Sequence, residues 1–340
     1  MDNEATVGII ANPASARDIR RVVARGGAVT THDKVNMLQR ALAGLGATGV
    51  GRVLVMTDLA GISATLNRLA DQMSARDWPS LEFIDQVVTQ TVADTITATR
   101  AMIDAEVGAI VVLGGDGTNR AVASASENVP LVSISTGTNN AFPLDVEPTV
   151  AGLAAGLVAT DRHCRQAGTF RAKRMTVQCG DRTESALVDV AINTTDVVGS
   201  GALWDPAAIA ELFLCFAEPT AVGLSAIGAH LRPTPRRAGP GLAIALGQPA
   251  AATIRPPIAP GLIAAIDVRS VAALQFDSPV VAETISGVVS IDGERLFRFR
   301  PPDRPTITLQ TDGPVMVDVA ATLEHAARRR FSSSPIERCA

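Results

Sequence analysis

The chain has 340 residues, of which 47% are hydrophobic and 19% charged, which predicts about two globular domains and argues against a disordered chain. Only 3% of the residues are aromatic and the formal net charge is −4, so we expect no nucleic acid partner. The four cysteines and four histidines show no metal-binding spacing, which argues against a zinc site or a disulfide scaffold.

Short apolar runs alternate with helical patterns over the first 145 residues. Strands are predicted at 7–11, 51–58, 81–88, 107–115 and 130–135, with amphipathic helices between them. Such alternation is typical of a parallel sheet with helices on both faces. Residues 1–145 are therefore predicted to form a nucleotide-binding α/β domain.

The pattern changes beyond residue 145. After a predicted helix at 147–160, strand-like runs separated by proline and glycine dominate. They predict a second, antiparallel, β-rich domain over residues 146–313, with a helical insertion near 204–231. Residues 314–330 are predicted to form a strand and a helix, and we expect them to pack back on the first domain.

The sequence contains no candidate membrane segment. No apolar window reaches the ~18 residues of a spanning helix, and the acidic amino terminus does not resemble a signal peptide. We therefore expect a cytoplasmic protein without a membrane partner. We also expect it to form a homo-oligomer.

The segment GLGATG, residues 44–49, has the letters of a dinucleotide-binding loop, but it follows a helix and precedes a strand. The fingerprint requires the reverse order, so helix capping explains these glycines better. Neither Lys34 nor Lys173, the two lysines among 30 basic residues, lies in a Walker A motif, which excludes a P-loop. We interpret the excess of arginine as a compositional bias.

The segment AIVVLGGDGTNRAV has the required order, with a strand, then Gly-Gly-Asp-Gly-Thr, then a helix. Backbone N–H groups in such a loop form an anion site. Gly114, Gly115 and Gly117 would let phosphate oxygens approach the backbone, and Thr118 would cap the helix or bind a phosphate. Asp116 would repel phosphate unless it binds Mg²⁺ or orders the loop. The alternative is a strand-to-helix turn without a ligand.

Two further polar loops follow predicted strands. NPASARD at 12–18 and STGTNNAF at 135–142 would reach the same edge of the sheet as GGDGT, because the carboxyl ends of parallel strands share one edge. Arg17 in the first of these loops is available to bind phosphate. Taken alone, each segment is also explained as a polar turn.

Together, IIANPASARDIRR, VLGGDGTNRAV, SISTGTNNAFP, GALWD and VGLSAIGAHLRP resemble the superfamily of NAD kinases and diacylglycerol- or sphingosine-type lipid kinases. The chain looks most like the acetoin-catabolism protein X group, and the resemblance covers nearly its whole length. It implies a Rossmann-like parallel-sheet domain plus a β-sandwich domain, with the active site in the cleft between them. It also implies ATP as phosphate donor and Mg²⁺ as cofactor.

The resemblance further implies which residues bind the nucleotide. Gly115, Gly117 and Thr118 would hold the donor phosphates together with Asp116, which is also a catalytic candidate. The other candidates for nucleotide contacts come from the same three loops: Asn12, Ser15, Gly114, Asn119, Gly137, Thr138, Asn139 and Asn140.

In the second domain, SIDGERLF at 290–297 resembles the Asp-Gly-Glu motif of the lipid kinases, where an acid helps to deprotonate the accepting hydroxyl. Asp292 and Glu294 are therefore candidates for a general base or for metal support. The alternative is a plain hairpin turn, for which Asp-Gly is a common sequence.

The chain departs from the lipid-kinase pattern at Ala16, Ala141 and the pair Arg120 and Ala121, where that pattern has Gly, Asp and Asn-Glu. Asn193 has no following glutamate, so the Asn-Glu pair of NAD kinases is not found. The nucleotide half of the site is thus retained and the acceptor half is changed. Four residues are candidates for lining a different acceptor pocket: Arg120, Asp196, Trp204 and Asp205. Trp204 is also explained by core packing.

Three functions remain open at this point. The first is an ATP-dependent phosphotransferase acting on a hydroxyl of NAD or of another soluble small molecule. The second is a lipid kinase, which the lack of a basic amphipathic segment disfavours. The third is a nucleotide-binding regulator that does not catalyse, which the altered acceptor motifs favour.

Overall fold

The computed structural model of the protein describes residues 4–15, 29–72, 78–137, 140–194 and 208–332. Within these residues the chain forms one mostly parallel sheet covered by helices, and two antiparallel sheets that share a core. The predicted combination of an α/β part with a β-rich part is confirmed.

The first sheet is built from strands at both ends of the chain. They are β1 (Thr6–Ala11), β2 (Arg52–Val55), β3 (Ser80–Phe83), β4 (Ala109–Gly114), β5 (Leu131–Ser135), β6 (Thr169–Arg171) and β20 (Val315–Val317). Their order is β3-β2-β1-β4-β5-β20-β6, and all neighbours pair in parallel except β20 and β6. Every residue of β1 and β4 is buried, as expected for central parallel strands.

Helices cover both faces of this sheet. They are α1 (Thr31–Gly46), α2 (Ile62–Ala70), α3 (Val92–Asp104), α4 (Asp116–Ala123), α5 (Pro148–Thr160), α6 (Arg162–Gly168) and α8 (Val319–Ser332). Leu38 of α1 and Ala155 of α5 pack on one face, and Met102 of α3 and Val122 of α4 pack on the other. Over the described ranges, no helix combines the length and the apolar composition that crossing a bilayer requires.

The GLGATG segment closes α1 and packs the helix against its neighbour. A Cβ on Gly44 would lie 2.3 Å from the carbonyl oxygen of Thr149, so the residue must be glycine for α1 and α5 to approach this closely. Gly49 has a φ of +82° in the turn before β2. Helix packing and a turn therefore explain these glycines, in agreement with the interpretation from the order of elements.

The boundary between the two parts lies later than the expected residue 145. Helix α5 contacts α1, β1 and β4, and α6 is followed by β6, which pairs with β20 of the first sheet. The chain therefore leaves the first sheet only after Arg171. At the other end, β20 pairs with β5, and α8 packs on α5 and α6.

The β-rich part consists of two antiparallel sheets and a short ribbon. The larger sheet has the order β12-β15-β11-β10-β9-β17-β18, and the smaller one β16-β19-β7-β8. The strands are β7 (Arg174–Cys179), β8 (Arg182–Ala186), β9 (Asp189–Asn193), β10 (Ile209–Leu214), β11 (Gly241–Leu246), β12 (Ala252–Ile254), β13 (Pro257–Ala259), β14 (Leu262–Ile263), β15 (Ile266–Leu274), β16 (Val280–Val281), β17 (Gly287–Ile291), β18 (Glu294–Phe299) and β19 (Thr306–Gln310). Val177 and Leu309 of the smaller sheet share a core with Val190 and Phe213 of the larger one, which makes the pair a sandwich.

Of the range 204–231, where a helical insertion is expected, the described residues form a strand first and a helix only at the end. Residues Ile209–Leu214 form β10, which pairs with β9 on one side and β11 on the other. Helix is limited to α7 (Ser225–Leu231). An apolar run of this length fits a buried strand as well as a buried helix, and the two neighbouring strands decide between them.

Candidate functional site

The loops that carry the glycine and asparagine motifs meet where the strand order of the first sheet reverses. β1 and β4 are neighbours, and chain order runs outward from them through β2 and β3 on one side and β5 on the other. In open α/β sheets such a switch point opens a crevice at the carboxyl ends of the strands. The loops after β1, β4 and β5 contact one another at this edge.

Strand β4 passes directly into helix α4. Gly114 ends the strand, Gly115 is the N-cap, and the helix begins at Asp116, three residues before the start predicted at Asn119. Gly115 has no side chain to cap the helix, which leaves the N–H groups of the first turn as donors for an anion. A Cβ on Gly115 would lie 2.8 Å from Oδ1 of Asn140, so the loop after β5 packs against the N-cap backbone.

The loop after β1 is joined to both other loops by side-chain hydrogen bonds. Asn12 Nδ2 donates to Thr118 Oγ1 at 2.9 Å, which links it to the first turn of α4. Thr136 Oγ1 donates to Ser15 Oγ at 3.0 Å, which links it to the loop after β5. Asn12, Ser15 and Thr118, which were predicted from two separate motifs, therefore lie in one cluster with Thr136 of the third loop.

Side-chain hydrogen bonds join the described residues on the two sides of the loop after β5. Ser135 Oγ donates to the carbonyl of Gly137 at 2.8 Å, and Asn140 Nδ2 donates to Ser135 Oγ at 3.0 Å. These bonds hold Asn140 against Gly115. Thr138 and Asn139 lie outside the described residues, as do Arg17, Asp196, Trp204, Asp205 and the departure at Ala16.

The Asp116 carboxylate orders the neighbouring loop. It accepts hydrogen bonds from the backbone N–H of Ala141 at 3.1 Å and of Phe142 at 2.8 Å. The sequence allowed two explanations for a carboxylate in this loop, namely that it binds a metal ion or that it orders the loop. The hydrogen bonds in this structure correspond to the second explanation.

Asn119 does not fit the predicted role of a nucleotide contact. Its side chain is fully buried, its Nδ2 donates to the carbonyl of Gly115 at 2.9 Å, and its Oδ1 accepts from Ser133 Oγ at 2.5 Å. Both ends of the amide are thus used to join α4 to β4 and β5. Asn119 supports the N-cap from beneath and does not present its side chain to a ligand.

Asp292 lies in the two-residue turn between β17 and β18, and its side chain is fully buried. The φ angles of Asp292 and Gly293, +49° and +77°, are those of a type I′ hairpin. The carboxylate accepts from the N–H groups of Leu187 at 3.0 Å and Val188 at 2.8 Å. The carboxylate is thus held by the backbone of the segment before β9, and the role of Asp292 as a base stays a prediction.

Burial raises the pKa of Asp292 to about 7, although the nearby Arg120 guanidinium and the hydrogen bond from Val188 both lower it. The negative charge of Asp116 adds a smaller increase. The turn therefore holds a carboxyl group that titrates near neutral pH within the fold.

Glu294, in contrast, faces the first turn of α4. Its side chain is 53% exposed, and Oε1 would lie 3.1 Å from a Cβ on Gly117. Arg120 of α4 donates to Glu294 Oε2 at 3.2 Å and to the carbonyl of Ile291 at 3.0 Å, and it lies 3.5 Å from Asp292. The structure thus brings GGDGT and the Asp-Gly-Glu hairpin together, with an arginine between them.

Comparison with known proteins identifies the family. The chain is 42% identical over 337 residues to acetoin catabolism protein X from Cupriavidus necator, covering 96% of this chain and 94% of that protein. The chain belongs to the acetoin catabolism protein X family. Residues 173–312 match the model of the acetoin catabolism protein X C-terminal domain, and residues 7–162 match that of the ATP-NAD kinase N-terminal domain.

Two solved structures illustrate the wider likeness. A proposed diacylglycerol kinase from Bacillus anthracis is 12% identical with a TM-score of 0.45, over 94% of this chain and 98% of that one. An NAD kinase from Archaeoglobus fulgidus, in complex with ATP, is 16% identical with a TM-score of 0.37, over 84% and 99% of the chains.

Two cations near these loops were not predicted as site residues. Lys34 is 1% exposed, and its Nζ donates to the carbonyls of Asn12, Pro13 and Ser15 at 2.8–2.9 Å. Arg236, from the segment between α7 and β11, donates to carbonyls of the loop after β5. The rarity of lysine among the basic residues was the available signal for Lys34, because a compact ammonium can donate to three carbonyls from a single atom.

The residues of this site do not form a protein-held Mg²⁺ centre. Asp116 and Asp292 bind backbone N–H groups, and Glu294 is paired with Arg120. Among the residues with described positions, no group of three or more Asp, Glu, His or Cys side chains is placed to hold a metal ion. Mg²⁺ is usually bound through one or two carboxylates together with the phosphates of a nucleotide, so here it would belong to the MgATP substrate.

Proposed function

We propose that this protein is an ATP-dependent phosphotransferase that transfers the γ-phosphoryl group of MgATP to a hydroxyl of a soluble small molecule. One observation carries the proposal: the uncapped start of α4 lies between two polar loops and faces Glu294 of the other part of the chain. Backbone donors for phosphate and a carboxylate for a hydroxyl proton are the groups this reaction needs.

The proposed roles follow from the geometry. The N–H groups at the start of α4 bind donor phosphate, with Asn12, Gly137 and Asn140 around them. The acceptor oxygen attacks the γ-phosphorus, ADP leaves, and Glu294 takes the hydroxyl proton. Asp116 and Asn119 hold the loops in place. The guanidinium of Arg120 lies beside Glu294, where it would stabilise charge on the transferred group.

NAD is the first acceptor to examine, because residues 7–162 match the ATP-NAD kinase domain. The test is incubation with MgATP and NAD, with NADP and ADP measured as products. A panel of soluble hydroxy compounds is then assayed for ADP release above the level of ATP hydrolysis. ADP formation with another acceptor and not with NAD would support an ATP-dependent phosphotransferase and reject NAD as its acceptor.

A non-catalytic nucleotide-binding regulator is the second candidate. Arg120 pairs with both carboxylates of the hairpin, which favours a closed contact between the two parts over a free base. ATP binding without turnover of any acceptor would support this function. Transfer of the γ-phosphoryl group by the wild-type protein, lost in Asp116→Ala, would reject it.

A further inference from the structure

We propose that Arg236 is a positioning residue that holds the loop after β5 in its nucleotide-binding geometry. The consequence for ATP rests on the proposed function, whereas the contact itself does not. Arg236 lies 94 residues from this loop, in the segment between α7 and β11 of the β-rich part. The geometry of the nucleotide site would then depend on a contact between the two parts of the chain.

The Arg236 guanidinium donates two hydrogen bonds to the backbone of the loop after β5. Nη1 donates to the carbonyl of Phe142 at 2.5 Å, and Nη2 donates to the carbonyl of Ala141 at 2.7 Å. Charge-assisted hydrogen bonds of this kind are about twice as strong as neutral ones. They restrain the two residues that directly follow Asn140.

Asp116 holds the same backbone from the opposite end. The peptide group that joins Ala141 to Phe142 donates its N–H to Asp116 and gives its carbonyl to Arg236. A negative charge at the N–H and a positive charge at the carbonyl both stabilise one orientation of the peptide dipole. The two side chains therefore act together on one peptide group.

Arg236 is itself held in place. Glu218 accepts from its Nη2 at 2.9 Å, its guanidinium lies 4.2 Å from the ring centroid of Phe216, and the side chain is only 12% exposed. Lys173, which is 3% exposed, donates to the carbonyl of Pro235 at 2.7 Å. The second of the two lysines thus anchors the segment that carries Arg236.

The next residue provides a matched control. Arg237 also joins the two parts of the chain, since it pairs with Asp318 and stacks over Phe170 at 4.2 Å. These contacts are made to the start of α8 and to β6, and they do not involve the loop after β5. Loss of Arg237 therefore removes an interdomain arginine without releasing Ala141 and Phe142.

The experiment compares Arg236→Met, Arg236→Lys and Arg237→Met with the wild type. It measures the Kd of MgATP by calorimetry, backbone hydrogen exchange over residues 140–142, and the Tm. We expect Arg236→Met to weaken MgATP binding about tenfold and to accelerate exchange in the loop, because two charge-assisted hydrogen bonds are lost. Arg236→Lys should retain part of the MgATP affinity and part of the protection of the loop from exchange. Arg237→Met should lower the Tm to a similar extent with MgATP binding within about twofold.

The proposal is overturned if folded Arg236→Met matches Arg237→Met in both MgATP affinity and loop exchange. A wild-type protein that does not bind MgATP would reject the proposed function, and the exchange measurement would still decide whether Arg236 holds the loop. If Arg236→Met does not fold, Glu218→Gln replaces it. That variant keeps the guanidinium and weakens its anchor, so faster exchange in the loop supports the proposal and unchanged exchange contradicts it.

Discussion

Glu294 and Gly117 face each other across the two parts of the chain, with Glu294 Oε1 placed 3.1 Å from where a Cβ on Gly117 would lie. Gly117 belongs to the first turn of α4, and Glu294 begins β18. A carboxylate therefore lies in contact range of the turn that we propose to bind phosphate. A substitution at Gly117 can therefore test phosphate access without lowering the stability of the protein.

Gly117→Ala should weaken MgATP binding about tenfold without lowering the Tm. The added methyl group contacts only the end of a flexible, half-exposed side chain, and alanine favours a helix over glycine by about 1 kcal/mol. Calorimetric titration and thermal unfolding of the same preparations provide the measurement. Ser124→Ala, at the other end of α4, is the control and should bind MgATP as the wild type does. Unchanged affinity in Gly117→Ala would mean that phosphate does not approach this turn.

Asp116→Asn should abolish phosphoryl transfer and lower the free energy of unfolding by about 1–3 kcal/mol. The Oδ1 atom that accepts from both N–H groups remains in asparagine but loses its negative charge, and the amide nitrogen that replaces Oδ2 cannot accept the second hydrogen bond from Ala141. Loop exchange and turnover are measured together. Full activity with a released loop would show that Asp116 orders the loop without contributing to the reaction.

Lys34→Met should destabilise the protein by about 3 kcal/mol, because three partly buried carbonyls lose their buried cationic donor. MgATP binding should weaken as well, since the loop that presents Asn12 is released. Arg40→Met on the same helix removes an exposed cation paired with Glu147 and should cost less than about 1 kcal/mol. Equal effects of the two substitutions on unfolding and on MgATP affinity would remove the role assigned to Lys34.

The Asp292 carboxyl should make stability depend on pH in a way that Asp292→Asn does not. Its pKa rises from an ordinary 3.8 to about 7 on folding, so the folded state binds the proton more tightly. Its contribution is fully present below pH 4 and is lost as pH rises to about 7, by roughly 1–4 kcal/mol. Urea unfolding from pH 5 to pH 8 should therefore show the wild type losing stability relative to Asp292→Asn.

The size of that change measures how far the hydrogen bonds from Leu187 and Val188 compensate for burial. Parallel stability curves for the wild type and Asp292→Asn would show that Asp292 stays ionised at pH 5. The same curves for Glu294→Gln are the control, because Glu294 is half-exposed.

The sequence placed the loops correctly because their signal is local. A strand, glycines and a helix in succession located the start of α4, and the reversed order identified GLGATG as a helix terminus. The Asp-Gly-Glu segment was compatible with both a base and a hairpin turn, and in the structure its two carboxyl groups differ in exposure. Asp292 forms the buried turn, whereas Glu294 faces the first turn of α4. Which carboxyl is buried depends on β9 and the segment before it, which no local pattern includes.

The contacts of Lys34 and Arg236 could not be predicted from sequence motifs. Their targets are backbone carbonyls, which every residue carries, so no pairing of side-chain types in the sequence reveals these contacts. Hydrophobic periodicity and glycine order, both short-range, determined the two-part architecture and the edge of the sheet at which the polar loops meet. Only the folded chain decided which cations hold that edge, because burial and hydrogen bonds between residues as many as 94 positions apart arise from tertiary packing.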